Sequence, residues 1–406
     1  MPQNSTAVST SAKVFKVLFG LSVFFLVLGQ FSLLSRNPNI KLYSFDVSAV
    51  FFSLISITYL LFIKYKFSIP KVYFFYLLFC IICILSLVVN LYRYNTLQFL
   101  YAASYLFRLG TFVFLGIGIF GLIRQNILSS GFIINALMNS SLALSILGFV
   151  QLILLPDFRV LDPALGWDPH VNRLASTFFD PNFLGGYLGL CICIFLGQYF
   201  YGYKWKNYQW FLYFVIPTIA LCLTFSRSAW ALFAVVIFLY GILRARYLLL
   251  LGVFVAFTAY YAVPRVQTRL AGTTDPSDSA SFRIISWNSS LEIFNDNPLL
   301  GIGFNSYKYS QISHGFLPKH GFIPNSASGA DSSFLFVLAT TGLVGFLIFL
   351  CAYLYSMSVS PAYFVFFSGL FIQTQFINAF FYAPVMFLIF VYLSVELSKK
   401  LSFLRK

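Results

Sequence analysis

Charge is what this sequence has least of. Only 9% of its 406 residues are charged, against about 25% in a typical soluble domain. So few charges cannot coat a water-exposed surface, which excludes a soluble globular protein and leaves most of the exterior to lipid. Acidic residues number just 11. Histidine appears only as His170, His314 and His320, without the spacing of a metal site. The six cysteines sit inside apolar runs rather than in loops, which excludes a disulfide framework. Cys80 and Cys83 form a CxxC, yet no second ligand pair accompanies it, so both read as small core or lipid-facing residues. A nucleotide loop is also missing. Gly301 and Gly303 make a GxG with no strand before it and no phosphate-loop lysine after it, which suits a turn packed against the membrane. No metal and no cofactor are predicted.

What the sequence has is apolar length. Hydrophobic residues make up 60% of it, and 52 residues are Phe. A helix needs roughly 20 mostly apolar residues to cross a bilayer. About twelve such runs occur, near 14–34, 45–63, 72–91, 98–123, 131–155, 183–201, 207–223, 228–243, 247–263, 332–357, 361–380 and 383–397. The first follows Lys13 and Lys16, is too long for a signal-peptide core and lacks a clear cleavage site, so it reads as a retained anchor. The expected fold is all-α, an integral membrane protein with residues 1–406 as a single transmembrane domain.

Basic residues orient the runs. With the N-terminus inside, the inner connections collect Lys13, Lys16, Lys64, Lys66, Lys71, Arg124, Lys204, Lys206, Arg244, Arg246, Lys399, Lys400, Arg405 and Lys406. The short outer loops hold only Arg36, Lys41, Arg93, Arg159, Arg173 and Arg227. Every acidic residue but Glu396 falls outside. Both termini are therefore expected in the cytoplasm. The net charge of +15 is then a topology signal and a contact with anionic lipid rather than a nucleic-acid footprint. Residues 264–331, between the ninth and tenth runs, form the largest outer loop. Ile284, Trp287, Leu291 and Phe294 recur there at helical spacing, predicting a short amphipathic helix over about 280–295 on or near the membrane surface.

In this topology the even-numbered spans begin at the outer face. The sixth begins at Asp180-Pro181-Asn182, the eighth within Thr224-Phe225-Ser226-Arg227-Ser228, and the tenth at Asp331-Ser332-Ser333. Free N–H groups and a positive dipole end suit an anion there, although every helix also needs caps. Arg173, Arg227 and Arg283 lie in the same outer segments, and arginine's planar fork holds phosphate oxygens in pairs. The plainer alternative for each is an interfacial arginine snorkelling to headgroups. Arg265 and Arg269 read as headgroup contacts. Arg108 falls inside the fourth span, where an ionisable residue is a functional candidate unless it sits at the interface.

Four segments carry a resemblance. They are Arg173-Leu-Ala-Ser-Thr-Phe-Phe-Asp-Pro-Asn182, Leu223-Thr-Phe-Ser-Arg-Ser228, Arg283 with Trp287 leading into Asn297-Pro-Leu-Leu-Gly-Ile-Gly-Phe304, and Asp331-Ser-Ser-Phe with Thr341-Gly-Leu-Val-Gly345. In their order, over residues 165–350, they resemble the O-antigen ligase and polysaccharide polymerase family of bacterial envelope membranes. The resemblance implies a metal-independent glycosyltransferase of C-type, all-helical membrane fold. It would move a glycan from undecaprenyl diphosphate to an acceptor hydroxyl at the bacterial cytoplasmic (inner) membrane. It further implies that Arg227 and Arg283 hold the diphosphate and that Asp331 activates the acceptor. The ligases usually have histidine at that last position, so Asp331 tilts the reading toward a polymerase of O-antigen or exopolysaccharide. Arg173, Ser226, Asn182 and Arg108 complete the expected substrate-binding set. Expected partners are the lipid-linked oligosaccharide, the acceptor glycan, membrane lipids and other polysaccharide export proteins, with no nucleic acid. Ligation to lipid A-core and flipping of a lipid-linked glycan remain the alternatives.

Overall fold

The computed structural model describes residues 5–35, 41–65, 69–162, 165–272, 279–319 and 329–403. Arg36, Lys66, His320, Arg405 and Lys406 lie outside the described residues. Fifteen helices follow one another, and no strand occurs among the described residues. Five form the first part: α1 (Ser5–Leu28), α2 (Ser44–Phe62), α3 (Lys71–Val89), α4 (Thr96–Arg124) and α5 (Ser130–Leu154). Next come α6 (Pro181–Phe200), α7 (Asn207–Leu223), α8 (Arg227–Leu243) and α9 (Tyr247–Ala262). Three shorter ones, α10 (Pro264–Ala271), α11 (Ser279–Asp296) and α12 (Tyr307–Ser313), precede α13 (Ser333–Met357), α14 (Pro361–Thr374) and α15 (Ala383–Phe403).

Among the described residues seven helices are long and apolar enough to cross a membrane, or eight if the bent pair α9 and α10 is one span. The remaining runs fall short by length or by charge. α8 has 17 residues and α14 has 14; α15 carries Glu396, Lys399 and Lys400. α9 turns by 96° into α10, because Pro264 lacks an N–H and starts a new helix. α7 contains a π-helical turn over Phe211–Val215 just before Pro217, a common accommodation of a proline inside a span.

α6 and α15 are the most enclosed helices. Every residue of α6 from Leu184 to Gln198 is buried, as is every residue of α15 from Val385 to Ser398. Around them, α15 packs on α4 and α6, α8 packs on α6 and α14, and α3 lies along α13. α9 is peripheral, with Leu248 its one buried residue among those described. Where α6 ends, Gln198, Ser360, Glu396 and Lys399 close a polar network: Lys399 donates to Glu396 at 2.9 Å and to Gln198 Oε1 at 2.7 Å, and the Ser360 hydroxyl donates to Glu396 at 2.7 Å. The N-termini of α6, α8 and α13 gather at the opposite end.

The segment after α11 explains two of the glycine motifs. Its backbone docks into a break in α13 rather than into water. Ile302 N–H donates to Ala339 O at 3.2 Å and Gly303 N–H to Thr340 O at 3.0 Å. In return, Leu343 N–H donates to Pro298 O at 2.8 Å. The break sits at Gly342, with φ of 65°, facing Gly301, with φ of 66°. A Cβ on Gly342 would lie 2.3 Å from the Leu299 carbonyl carbon, and one on Gly301 would lie 2.4 Å from that of Thr340. Residues 301–304 and 339–342 are buried, so there the two backbones satisfy each other in place of water. Ser86 of α3 and Asn90, which follows its last residue, add donors to Leu300 O at 2.6 Å and Gly301 O at 3.0 Å.

Candidate active site

The loop before α6 is buried, although it is polar. Residues 173–178 are all buried, and side chains of the bundle satisfy the backbone. Gln151 of α5 accepts from Ala175 N–H at 2.8 Å and from Ser176 N–H at 3.1 Å. Ser176 donates to Leu144 O at 2.8 Å and Thr177 to Val27 O at 2.6 Å. Asn172, Ser176 and Phe179 hold left-handed backbone, unusual for residues with a Cβ. Surrounding contacts must over-determine such a path.

Arg173 emerges from this loop and ties two helix starts together. Its guanidinium donates to Thr224 O at 2.8 Å and Phe225 O at 3.4 Å in the α7–α8 turn. It also donates to Asn182 Oδ1 in the first turn of α6 at 3.0 Å. The His170 ring nitrogen Nδ1 lies 3.3 Å away. A guanidinium can only donate, so Nδ1 accepts and the histidine proton sits on Nε2. That Nε2 is buried with no protein partner among the described residues. Burial, reinforced by Arg173 and Arg269, pushes His170 down to about 3, so the ring is neutral. Burial and the neighbouring Arg269 lower Arg173 to about 9, with Asp180 opposing, and it stays cationic at neutral pH.

α10 closes over this group. Arg265 donates to Val171 O and Asn172 O and lies 4.3 Å over the Phe225 ring. Arg227, at the start of α8, donates to Arg269 O at 3.1 Å. Arg265 and Arg269 thus belong to the arginine group, rather than reaching out as isolated headgroup contacts. Arg283 of α11 completes it: its charge reaches Arg173 and Asp331, and its guanidinium lies 5.8 Å over Phe376.

Asp331 sits at the rim of α13. Ser332 rather than Asp331 caps that helix, accepting from Leu335 N–H at 3.3 Å, which releases the Asp331 carboxylate from capping. Ser286 and Trp287 of α11 fix the Asp331 backbone, at 3.0 Å to its N–H and 3.1 Å to its carbonyl. Burial pushes the Asp331 carboxyl up to about 6; Arg283 opposes the rise, and Asp168 and Asp180 add to it. Asp180, by contrast, caps α6, accepting from Asn182 N–H at 2.7 Å and Phe183 N–H at 3.3 Å. Five arginines and three carboxylates therefore share one end of the bundle.

Residues 212–350 match the model of a family described as O-Antigen ligase. The matched stretch is about a third of the chain. No curated protein matches it. The O-antigen ligase match contains Arg227, Arg283 and Asp331, and it leaves Arg173, Asn182 and Arg108 outside. Of the expected site residues, the structure groups Arg173, Arg227, Arg283, Asn182 and Asp331. Ser226 is fully buried, with its hydroxyl 3.3 Å from Ser228, and so supports the turn. Arg108 stands in a separate cluster. It pairs with Asp46 at 2.7 Å, donates to Lys41 O at 2.8 Å, and lines a cavity of about 260 Å³ between α2 and α4. His170 and Asp168 were not legible as neighbours of the arginine group, because no spacing marks a loop histidine that will fold against an arginine.

Proposed function

We propose that this protein polymerises O-antigen or exopolysaccharide repeat units at the outer face of the cytoplasmic membrane. In this reading α7, α8, α14 and α15 also cross the bilayer, giving twelve crossings with both termini inside. The donor is a glycan on undecaprenyl diphosphate. The observation that carries the proposal is the arginine group: Arg173 bonded to the starts of α6 and α8, Arg227 and Arg265 bonded around it, and Arg283 within reach of both Arg173 and Asp331. When the acceptor hydroxyl attacks the anomeric carbon, the bond to the diphosphate breaks and its electron pair passes to the leaving oxygen. Arginine forks aimed at that oxygen stabilise the charge as it grows, in place of a metal. The hydroxyl proton passes to the Asp331 carboxylate, a base whose proton affinity suits neutral pH. Attack opposite the diphosphate inverts the anomeric centre.

The family description favours a second reading, ligation of a finished chain to lipid A-core. The envelope glycan of a deletion strain separates them. Single repeats left on lipid A with long chains lost support a polymerase; long chains accumulating on the carrier support a ligase. Purified protein in liposomes tests the chemistry itself. Lengthening of a lipid-linked glycan without a gradient is expected, and movement of the glycan without a new bond would mean a flippase.

A further inference from the structure

Arg108 and Asp46, apart from the arginine group, line a cavity of about 260 Å³ between α2 and α4. Their pairing is lopsided. Asp46 Oδ2 accepts from Arg108 Nη2 at 2.7 Å and from the Tyr43 N–H at 3.1 Å. Asp46 Oδ1 is buried with no partner among the described residues, and Asp46 as a whole is only 7% exposed. The neighbouring cations are engaged elsewhere. Arg108 Nη2 also donates to Lys41 O at 2.8 Å, and its guanidinium lies 4.6 Å from the Tyr105 centroid. The Lys41 ammonium is held 5.5 Å over the Trp167 ring. A buried acceptor left without a donor costs about 1–3 kcal/mol, and more when it is charged. Oδ1 therefore calls for a hydrogen-bond donor from outside the chain.

Water alone does not suit the rest of the cavity. Val47, Val50, Phe51, Phe107 and Phe112 make most of its wall apolar. A water needs about two to four polar partners, whereas an apolar space of this size stays dry and takes an apolar ligand. Phe51 is 57% exposed and Phe107 63% exposed. Both lie on helix faces that meet lipid, so the mouth of the cavity opens into the bilayer. The start of α2 sets its level. Tyr43 donates to Gln30 at 2.7 Å, and Gln30 donates to Phe178 O at 3.5 Å, just before α6. The cavity therefore opens in the leaflet at the arginine end.

We infer that this cavity is a site for a phospholipid whose headgroup carries a hydrogen-bond donor. An acyl chain lies between α2 and α4, and an ethanolamine ammonium or a glycerol hydroxyl donates to Asp46 Oδ1. The two headgroups share the chemistry that matters, an N–H or O–H at the head of an apolar chain. Choline lacks it. A lipid placed there takes no part in the transfer. It fills the contact between α2 and α4 and steadies the turn that reaches Phe178, so it stabilises the folded protein by mass action.

The test strips the full-length protein of lipid in detergent. It then titrates dioleoyl phosphatidylethanolamine, phosphatidylglycerol and phosphatidylcholine, read by native mass spectrometry. The ethanolamine and glycerol lipids should each bind about tenfold tighter than the choline lipid, as one hydrogen bond to a carboxylate allows. Ethanolamine and choline lipids carry the same net charge, so their comparison isolates the donor and needs no variant. Val50→Trp fills the cavity and should remove the preference. Leu54→Trp, one turn on and 60% exposed, should keep it. Tighter binding of the ethanolamine lipid alone retains the site and names an ammonium as the donor. Tighter binding of the glycerol lipid alone would mean that charge is read, and equal binding of all three that no donor is read. Either result overturns the inference, as does an unchanged preference in Val50→Trp. Displacement of the bound phospholipid by undecaprenyl phosphate would give the cavity to the carrier and overturn it too.

Discussion

At the scale of single residues, a carboxyl group half-buried beside Arg283 takes up its proton near pH 6. The sign follows directly. Below about 6 Asp331 is protonated and cannot accept the acceptor proton, so transfer should fall as pH drops through that value. His170 stays neutral down to about 3, so it does not contribute to this acid limb. A pH profile of kcat on a lipid-linked donor checks the claim, and Asp331→Asn should abolish most turnover together with the limb. Arg283→Lys keeps the charge and loses the fork, and should cost about 10²-fold in turnover if the diphosphate is held in pairs of bonds. Full activity would mean that position needs only a point charge. Arg227 and Arg283 were legible in the sequence because arginines are rare in such an apolar chain. Arg269 and His170 were not, because a residue's neighbours across a fold leave no mark in its spacing.

At the scale of elements, two local devices hold the site. The first is the interlock between residues 298–303 and the break in α13. Gly342→Ala and Gly301→Ala each force a side chain into left-handed backbone and into a neighbouring carbonyl. Each should destabilise the protein by roughly 1–3 kcal/mol or more, read as a lower thermal midpoint in detergent. Gly110→Ala is the control, since nothing lies within 4 Å of its added Cβ, and its midpoint should hold or rise slightly. The second device is Gln151, which holds the 173–178 loop by its backbone. Gln151→Ala leaves two buried N–H groups without acceptors, at about 1–3 kcal/mol each, and should reduce transfer by loosening Arg173. Gly301 and Gly303 stood out in the sequence as a turn, and Gly342 only within a segment that carries the resemblance. Their joining was invisible, because about forty residues separate them along the chain and only packing brings them into register.

At the scale of the whole molecule, the charge asymmetry and the site geometry point the same way. The arginine group and Asp331 lie at the end where α6, α8 and α13 begin, and the Glu396–Lys399 network lies at the other. Reporter fusions at both termini should give cytoplasmic signals, and a reporter placed after α10 should give an external one. A cytoplasmic signal there would put the arginine group on the wrong side for a carrier presented outside. The enclosed α6 and α15 form the frame, and the outermost α9 leads by its 96° bend into α10, which lies over the site.

The sequence by itself determined the solvent, the helical class and the residue types able to hold a diphosphate. Scarce charge, long apolar runs and a few arginines suffice for these, since each follows from the cost of placing polar groups in lipid. The start expected at Asp331-Ser332-Ser333 contains the cap, Ser332. Tertiary structure alone decided which arginines share a site, that Arg108 belongs with Asp46 and the Tyr105 ring, and that a polar loop runs buried behind Arg173. Those outcomes depend on which helices touch. Contact between distant segments is set by the summed packing of the whole bundle, not by any pattern local to the segments themselves.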